Sequence, residues 1–526
     1  MMKASHMVAN GTFRNVPRAG GIWLLLVSFA LACAGADWPQ FRGVNHDGTS
    51  MDRILTNWTG AVTNPIWRIP LTNALCSLVV SDGKVYTQTI RTLVGVAEDT
   101  CVALSATNGV ELWATPLEDT SYPHGGVGYD DGPRSTPAVA DGGVFVLTSY
   151  LKLYRLNPGD GSVVWVNDLP SLYGAVVISW QNAASPLIAN GLIYLNANTG
   201  SDSIMALRTS DGSLAWRAQK EGMTHSTPVL AAIHGVPQVI FATQQGVISV
   251  NPTNGNMLWR TNYPFAYNTS LGASPVVWDD IVFVVGGRAY GMGSVAYQAT
   301  VSNTVWSVAR LWWTNTTAAH WMTPVAYNGH LFGQFGIFGF DGPEAQLTCL
   351  DIRTGAVKWQ TPGFGRCGTV LVNYQLVSLT ERGQLVLVNA DTNSYAELGR
   401  FQAIPNYFPD TNKCWNSPAV SDGKIFVRSS SFVAAFDLTV PALKVQLPQF
   451  VAADKLALTV DAVNGAPLAS NRIAGMEVLA GTNPVQSFSQ WVKLTNDLAL
   501  TNGRVRMDNV DSSGYPRRYF IVREPN

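Results

Sequence analysis

Six residues stand where chemistry could be done: Arg134, His225, His320, Trp321, Arg366 and Trp415. Five of them share one position in a repeated pattern. His320 occupies the position before Trp321, as Cys414 does before Trp415. Guanidinium groups bind oxygens through paired hydrogen bonds, and indoles stack on flat rings. The set therefore suits a planar anionic or quinone-like ligand, and equally a rim that Arg and Trp merely fill and solvate. It contains no carboxylate, although Asp130, Asp131 and Asp410 lie in long neighbouring loops and could approach. No GxSxG, CxxC or CxxCH occurs, so nucleophilic catalysis, a structural zinc and an attached haem have no support. Gly286-Gly287 and Gly291 to Gly293 are not a phosphate loop, because no helix follows.

The elements that position these residues come from an internal repeat. An eleven-residue pattern, usually with Gly at the seventh place and Trp at the eleventh, recurs as ALSATNGVELW (103–113), RLNPGDGSVVW (155–165), ALRTSDGSLAW (206–216), SVNPTNGNMLW (249–259), AYQATVSNTVW (296–306) and CLDIRTGAVKW (349–359). The fifth copy has Ser302 in place of Gly, and a decayed copy at 387–397 ends in Glu397. A strand feeds a tight turn that wants Gly at positive φ, and the next strand presents a Trp large enough to wedge between sheets. Ahead of each copy stands Ser/Thr-Pro, an apolar pair and a turn such as Asp-Gly or Asn-Gly, as in STPAVADGGVFVL (135–147) and SPAVSDGKIFV (417–427). These are hairpins, whose turns begin at Asp82, Asp141, Asn190, His234, Asp279, Asn328, Asn373 and Asp422. Eight leading hairpins face seven trailing motifs. The orphan segment 64–70, NPIWRIP, supplies the missing outer strand and closes the ring. The expected fold is all-β: an eight-bladed β-propeller closed by an N-terminal strand, plus a small C-terminal β domain. Loops 117–133, 310–321 and 399–415, with the strand-joining loops 91–100, 286–293 and 336–346, decorate the face that carries the six residues.

The Gly-to-Trp motif and the opening DWPQFRG (37–43), followed by Asp47-Gly48, resemble the PQQ-like β-propeller repeat family, over about residues 37–440. The resemblance implies one of two activities. One is that of BamB-like exported propellers, rigid rings that bind without a quinone. The other is a quinoprotein alcohol or sugar dehydrogenase, which needs PQQ, a calcium ion and a carboxylate base. The dehydrogenases carry two adjacent cysteines, and this chain has no Cys-Cys pair. The resemblance therefore favours a non-catalytic binding or scaffold protein of the bacterial cell envelope. It would engage a protein or small molecule at the channel mouth and need no cofactor.

Composition agrees with this reading. The net charge of −1 gives no footprint for nucleic acid. Residues 1–36 read as a signal peptide, with Lys3, Arg14 and Arg18 before an apolar run at 22–33 and a small-residue cleavage site at 34–36. Lipidation at Cys33 is the alternative to cleavage. No later segment is apolar and long enough to span a membrane. The expected location is periplasmic or extracellular. The mature cysteines are Cys76, Cys101, Cys349, Cys367 and Cys414, and aligned blades place Cys414 where it could pair with Cys76 or Cys367. A linker at 441–449 leads to residues 450–526, where short alternating strands lack the repeat. There LAGTNP (479–484), WVKLTN (491–496) and PRRYFIV (516–522) resemble small C-terminal β modules of exported bacterial proteins.

Overall fold

The computed structural model describes residues 37–526 apart from 59, 121–131, 264–270, 288–292, 320, 337–344, 367, 406–411, 469, 484–489, 516–517 and 525–526. The chain separates into two compact units, with the break between Val440 and Pro441.

Among the described residues, the first unit contains eight sheets built on a four-stranded meander. Their first strands are Val79–Ser81, Ala138–Ala140, Leu187–Ala189, Val229–Ile233, Val276–Trp278, Val325–Tyr327, Thr369–Val372 and Ala419–Ser421. Six of these begin at the residue after a proline, as at Pro137 and Pro324, because proline has no N–H to give the ladder. The Ser or Thr before that proline has a further role. The amides of Ser77, Thr136, Ser185 and Ser274 donate to the hydroxyls of Thr136, Ser185, Thr227 and Thr323 in the next sheet, each at 2.9 Å. Gly368 replaces that residue in the seventh sheet. A Cβ there would lie 2.1 Å from Ser417 Oγ of the eighth.

The eighth sheet takes its fourth strand from the N-terminal region: Trp67–Pro70 pairs antiparallel with Phe432–Asp437. Docking tryptophans join the sheets. A Cβ on Gly255 would lie 2.5 Å from the Trp216 indole, whose Nε1 donates to Pro252 O at 2.9 Å. Trp113 docks likewise on Gly161, and Trp67 of the eighth sheet docks on Gly109 of the first.

The fifth copy of the repeat corrects the sequence reading. Trp306, expected as a docking residue, pairs with Val301 near the hairpin turn at 303–304 and lies beside His234. Trp312 docks instead, on Gly355, with Nε1 donating to Ile352 O at 2.9 Å. Register explains the difference. Trp113, Trp216 and Trp312 stand opposite Ala103, Ala206 and Ala296, and the fifth hairpin is long enough to carry Trp306 past that level. The decayed copy lacks its Trp, and Trp58 from the N-terminal segment is buried there, against Gly399 and edge-on to Phe401.

Residues 37–54 thread across the first strands. Trp38 bridges Val80, and Pro39 O accepts the Val139 amide at 2.7 Å. The Gln40 side chain exchanges two hydrogen bonds with Ile188. Thr49–Ser50 runs parallel to Thr369–Val372, and Asp52 accepts the Gly423 amide. Arg42 is buried and donates to Thr323 O at 3.0 Å and Pro324 O at 2.8 Å.

Among the described residues, the second unit holds two sheets, one around Lys455–Ala462 and Arg504–Asp511, the other around Glu477–Gly481 and Tyr519–Arg523. Leu443–Val445, inside the stretch expected as linker, pairs with Lys455–Ala462. Its alternation buries Val445 in this unit's core. Cys76, Cys101, Cys349 and Cys414 are buried free thiols, so the expected pairing of Cys414 with Cys76 does not form. Cys76 instead accepts from Arg428, 3.4 Å away. Cys367 lies outside the described residues.

Candidate functional site

Four of the six sequence-selected residues precede their first strands by four positions, and Arg366 precedes Thr369 by three. They sit in lead-ins rather than directly against the strands, because the Ser/Thr-Pro pair intervenes. His320 lies outside the described residues, as do Asp130, Asp131 and Asp410. The other five fall into two groups.

Trp321, Arg366 and Trp415 come together from the lead-ins of the sixth, seventh and eighth sheets. The Trp321 and Trp415 rings are 4.6 Å apart with their planes at 42°. Arg366 Cζ lies 5.5 Å and Lys413 Nζ 4.9 Å from the Trp415 centroid, within cation–π range. Glu381, in the turn after Gln375–Leu379, organises them. Its carboxylate accepts from Trp415 Nε1 and from the Arg366 amide, both at 3.0 Å, with Arg366 Nε 3.5 Å away. Gly365 is required for this approach: it has φ +69°, and a Cβ there would meet Glu381 Oε2 at 2.5 Å. The Asn416 amide ties the same lead-in to Leu75 O at 2.7 Å and Cys76 O at 2.6 Å. Sequence reasoning missed Glu381 and Lys413. A charged residue in a turn or beside a lead-in carries no periodic signal.

Arg134 and His225 form the second group, around the turn that leads into the third sheet. Arg134 Nη1 donates to Trp180 O at 3.1 Å, and His225 Nε2 donates to Ser179 O at 3.0 Å. Burial, with the Arg134 charge, pushes the His225 pKa down to about 4, so the ring is neutral at neutral pH. Trp180 and Gln181 both adopt positive φ to present these carbonyls. Arg134 also influences a buried carboxylate, Asp99, which stands in register with Glu118. The amides of Ser149 and Tyr150 donate to Asp99 and Glu118 at 3.1 and 3.0 Å. Burial pushes the Asp99 pKa up to about 7, aided by Glu118, and raises that of Glu118.

This set can recognise a ligand through indole faces and fixed cations. Comparison with known proteins agrees with the repeat. The family model described as "Outer membrane protein assembly factor BamB" matches residues 98–361, half of the chain. The chain belongs to this family. Two BamB relatives carry that description. The one from Yersinia pestis is 26% identical over 310 residues, covering 56% of this chain and 70% of the relative. The one from Moranella endobia is 25% identical over 263 residues, covering 48% and 63%. The chain thus spans less than two thirds of the second relative's length. Among solved structures, BamB from Moraxella catarrhalis is similar at 13% identity and a TM-score of 0.48, over 71% of this chain and 97% of that one. Quinohemoprotein alcohol dehydrogenase from Comamonas testosteroni is similar at 13% identity and a TM-score of 0.52, over 79% and 82%. The latter likeness bears on fold alone: like other BamB-family chains, this one is a β-propeller of PQQ-like repeats. No helix among the described residues is long and apolar enough to cross a membrane.

Proposed function

We propose that this chain is an exported, eight-bladed PQQ-like β-propeller followed by a separate β module, and that it is a non-catalytic binding or scaffold protein of the bacterial cell envelope. It engages a protein or small molecule at the channel mouth through Trp321, Arg366 and Trp415, with Arg134 and His225 on the same rim. The observation that carries this reading is the cluster of Trp321, Arg366, Lys413 and Trp415 around Glu381, drawn from three successive sheets. Glu381 holds Trp415 and Arg366, and Trp321 and Lys413 pack on Trp415, which gives a rigid recognition surface.

A dehydrogenase site built on PQQ and calcium is the competing reading, and the described residues of the Trp321–Trp415 cluster offer it little support. Glu381, the carboxylate of the cluster, is already engaged by Trp415 and Arg366, and Cys76 and Cys414 are separate free thiols. Spectroscopic titration with PQQ and Ca²⁺, alongside a dye-linked alcohol assay, tests this directly: saturable quinone binding with turnover would replace the binding reading. For the binding reading itself, Trp321→Ala and Arg366→Ala should leave the melting temperature nearly unaltered and weaken ligand or partner capture. Rim variants that unfold as badly as docking-Trp variants would sink it.

A further inference from the structure

The hairpin of Lys84–Leu93 and Val96–Ser105 is longer than its counterparts. Each strand has 10 residues, whereas the equivalent strands of the second sheet have 5. The added length projects a tip whose residues 92–96 are all exposed, with Val94 fully so and Leu93 and Val96 each at 41%. The turn is Val94-Gly95, with φ +49° and +84°. A β-branched residue is strained at positive φ, and two-residue turns of this kind prefer Asn or Asp first. The chain itself follows that preference. Among the described residues, the first position of every other two-residue hairpin turn with both φ positive is Asp, Asn or His, as at Asp82, Asn190 and His234. Val94 is the exception, and it is both strained and fully in water. Neither property helps the fold.

We propose that this apolar tip is a docking prong, and that it seats in an apolar protein pocket rimmed by Lys and Arg. Charge decides the occupant. Glu98 stands in register with Arg91 and with Asp119 at the finger's base, and Arg91, the one cation at that level among the described residues, is neutralised by its ion pair with Glu111. An acidic collar is repelled by anionic lipid and complements a basic rim. The prong rests only on the general reading of this face as a binding surface, not on the Trp321–Trp415 cluster.

Val94→Asn is the test, since it installs the residue type the other turns use and should hold or raise the melting temperature. A phage-displayed library of looped peptides is selected on the full chain. The expected result is enrichment of peptides combining bulky apolar residues with Lys or Arg. Their affinity should fall by about tenfold or more on Val94→Asn, as for loss of a buried interface anchor. It should also fall on Glu98→Lys and at high salt, and be unchanged on Trp321→Ala. No enrichment, peptides retained by Val94→Asn, or tip-dependent sedimentation with phosphatidylcholine vesicles overturns the proposal. If Trp321→Ala proves silent towards every ligand while tip binding persists, the rim reading fails and the prong stands.

Discussion

A docking tryptophan is a wedge whose loss leaves a cavity between two sheets. Trp216 is 9% exposed, and its indole covers Gly255 while its Nε1 holds Pro252 O. Trp216→Ala should cost about 3–5 kcal/mol in a denaturant titration. The fifth sheet offers a sharper comparison. Trp312→Ala should cost a similar amount and Trp306→Ala much less, because Trp306 lies near a hairpin tip and Trp312 fills the Gly355 seat. Equal losses would contradict the pairing of Trp312 with Ala296.

Between elements, two devices act at the seams. The Ser/Thr hydroxyls ahead of the prolines satisfy amides of the preceding sheet. Thr136→Val keeps the shape and removes the acceptor, leaving the Ser77 amide unpaired, which should cost about 1–3 kcal/mol by chemical denaturation. The second device is the contact of Asp99 and Glu118 with the Ser149 and Tyr150 amides. Burial raises the Asp99 pKa from 3.8 to about 7 in the folded chain. A carboxylate whose folded pKa is raised contributes stability below its unfolded value and loses it as pH rises through the folded value. Glu118 acts in the same direction, while the Ser149 amide, Arg134 and, at Glu118, Lys152 oppose it. Melting curves of wild type and Asp99→Asn should therefore diverge between pH 3.8 and about 7, with the variant gaining on wild type as pH rises. A difference independent of pH would refute the raised pKa.

For the molecule as a whole, the N-terminal region is part of the ring rather than a tail. Residues 37–54 lace first strands from the first sheet to the seventh, and Trp67–Pro70 completes the eighth. Deleting residues 37–72 would strip that segment and bare the edge of Phe432–Asp437. The expected outcome is aggregation or a large fall in melting temperature, checked by light scattering and calorimetry. A monomer melting at the wild-type temperature would exclude this closure.

Periodicity and turn chemistry are local, so the sequence alone determined the meanders and the positive-φ turns from Asp82 to Asp422, and the mismatch of eight leading hairpins with seven trailing motifs pointed to the pairing of 64–70 with the last sheet. Residues in one turn or on alternate strand positions need no long-range information. Tertiary structure decided the rest. It selected Trp312 over Trp306, because two extended strands slid the register beyond what an eleven-residue spacing can express. It brought Glu381, from the turn of the seventh sheet, and Trp321, from the lead-in of the sixth, to Trp415, and it placed His225 where burial and Arg134 hold it neutral. It also sent DWPQFRG, legible only as a signature, through the first strands, with Arg42 spending its donors on the Thr323 and Pro324 carbonyls. Each of these depends on which surfaces face one another after the ring closes, and that is set by packing and desolvation rather than by neighbours in the chain.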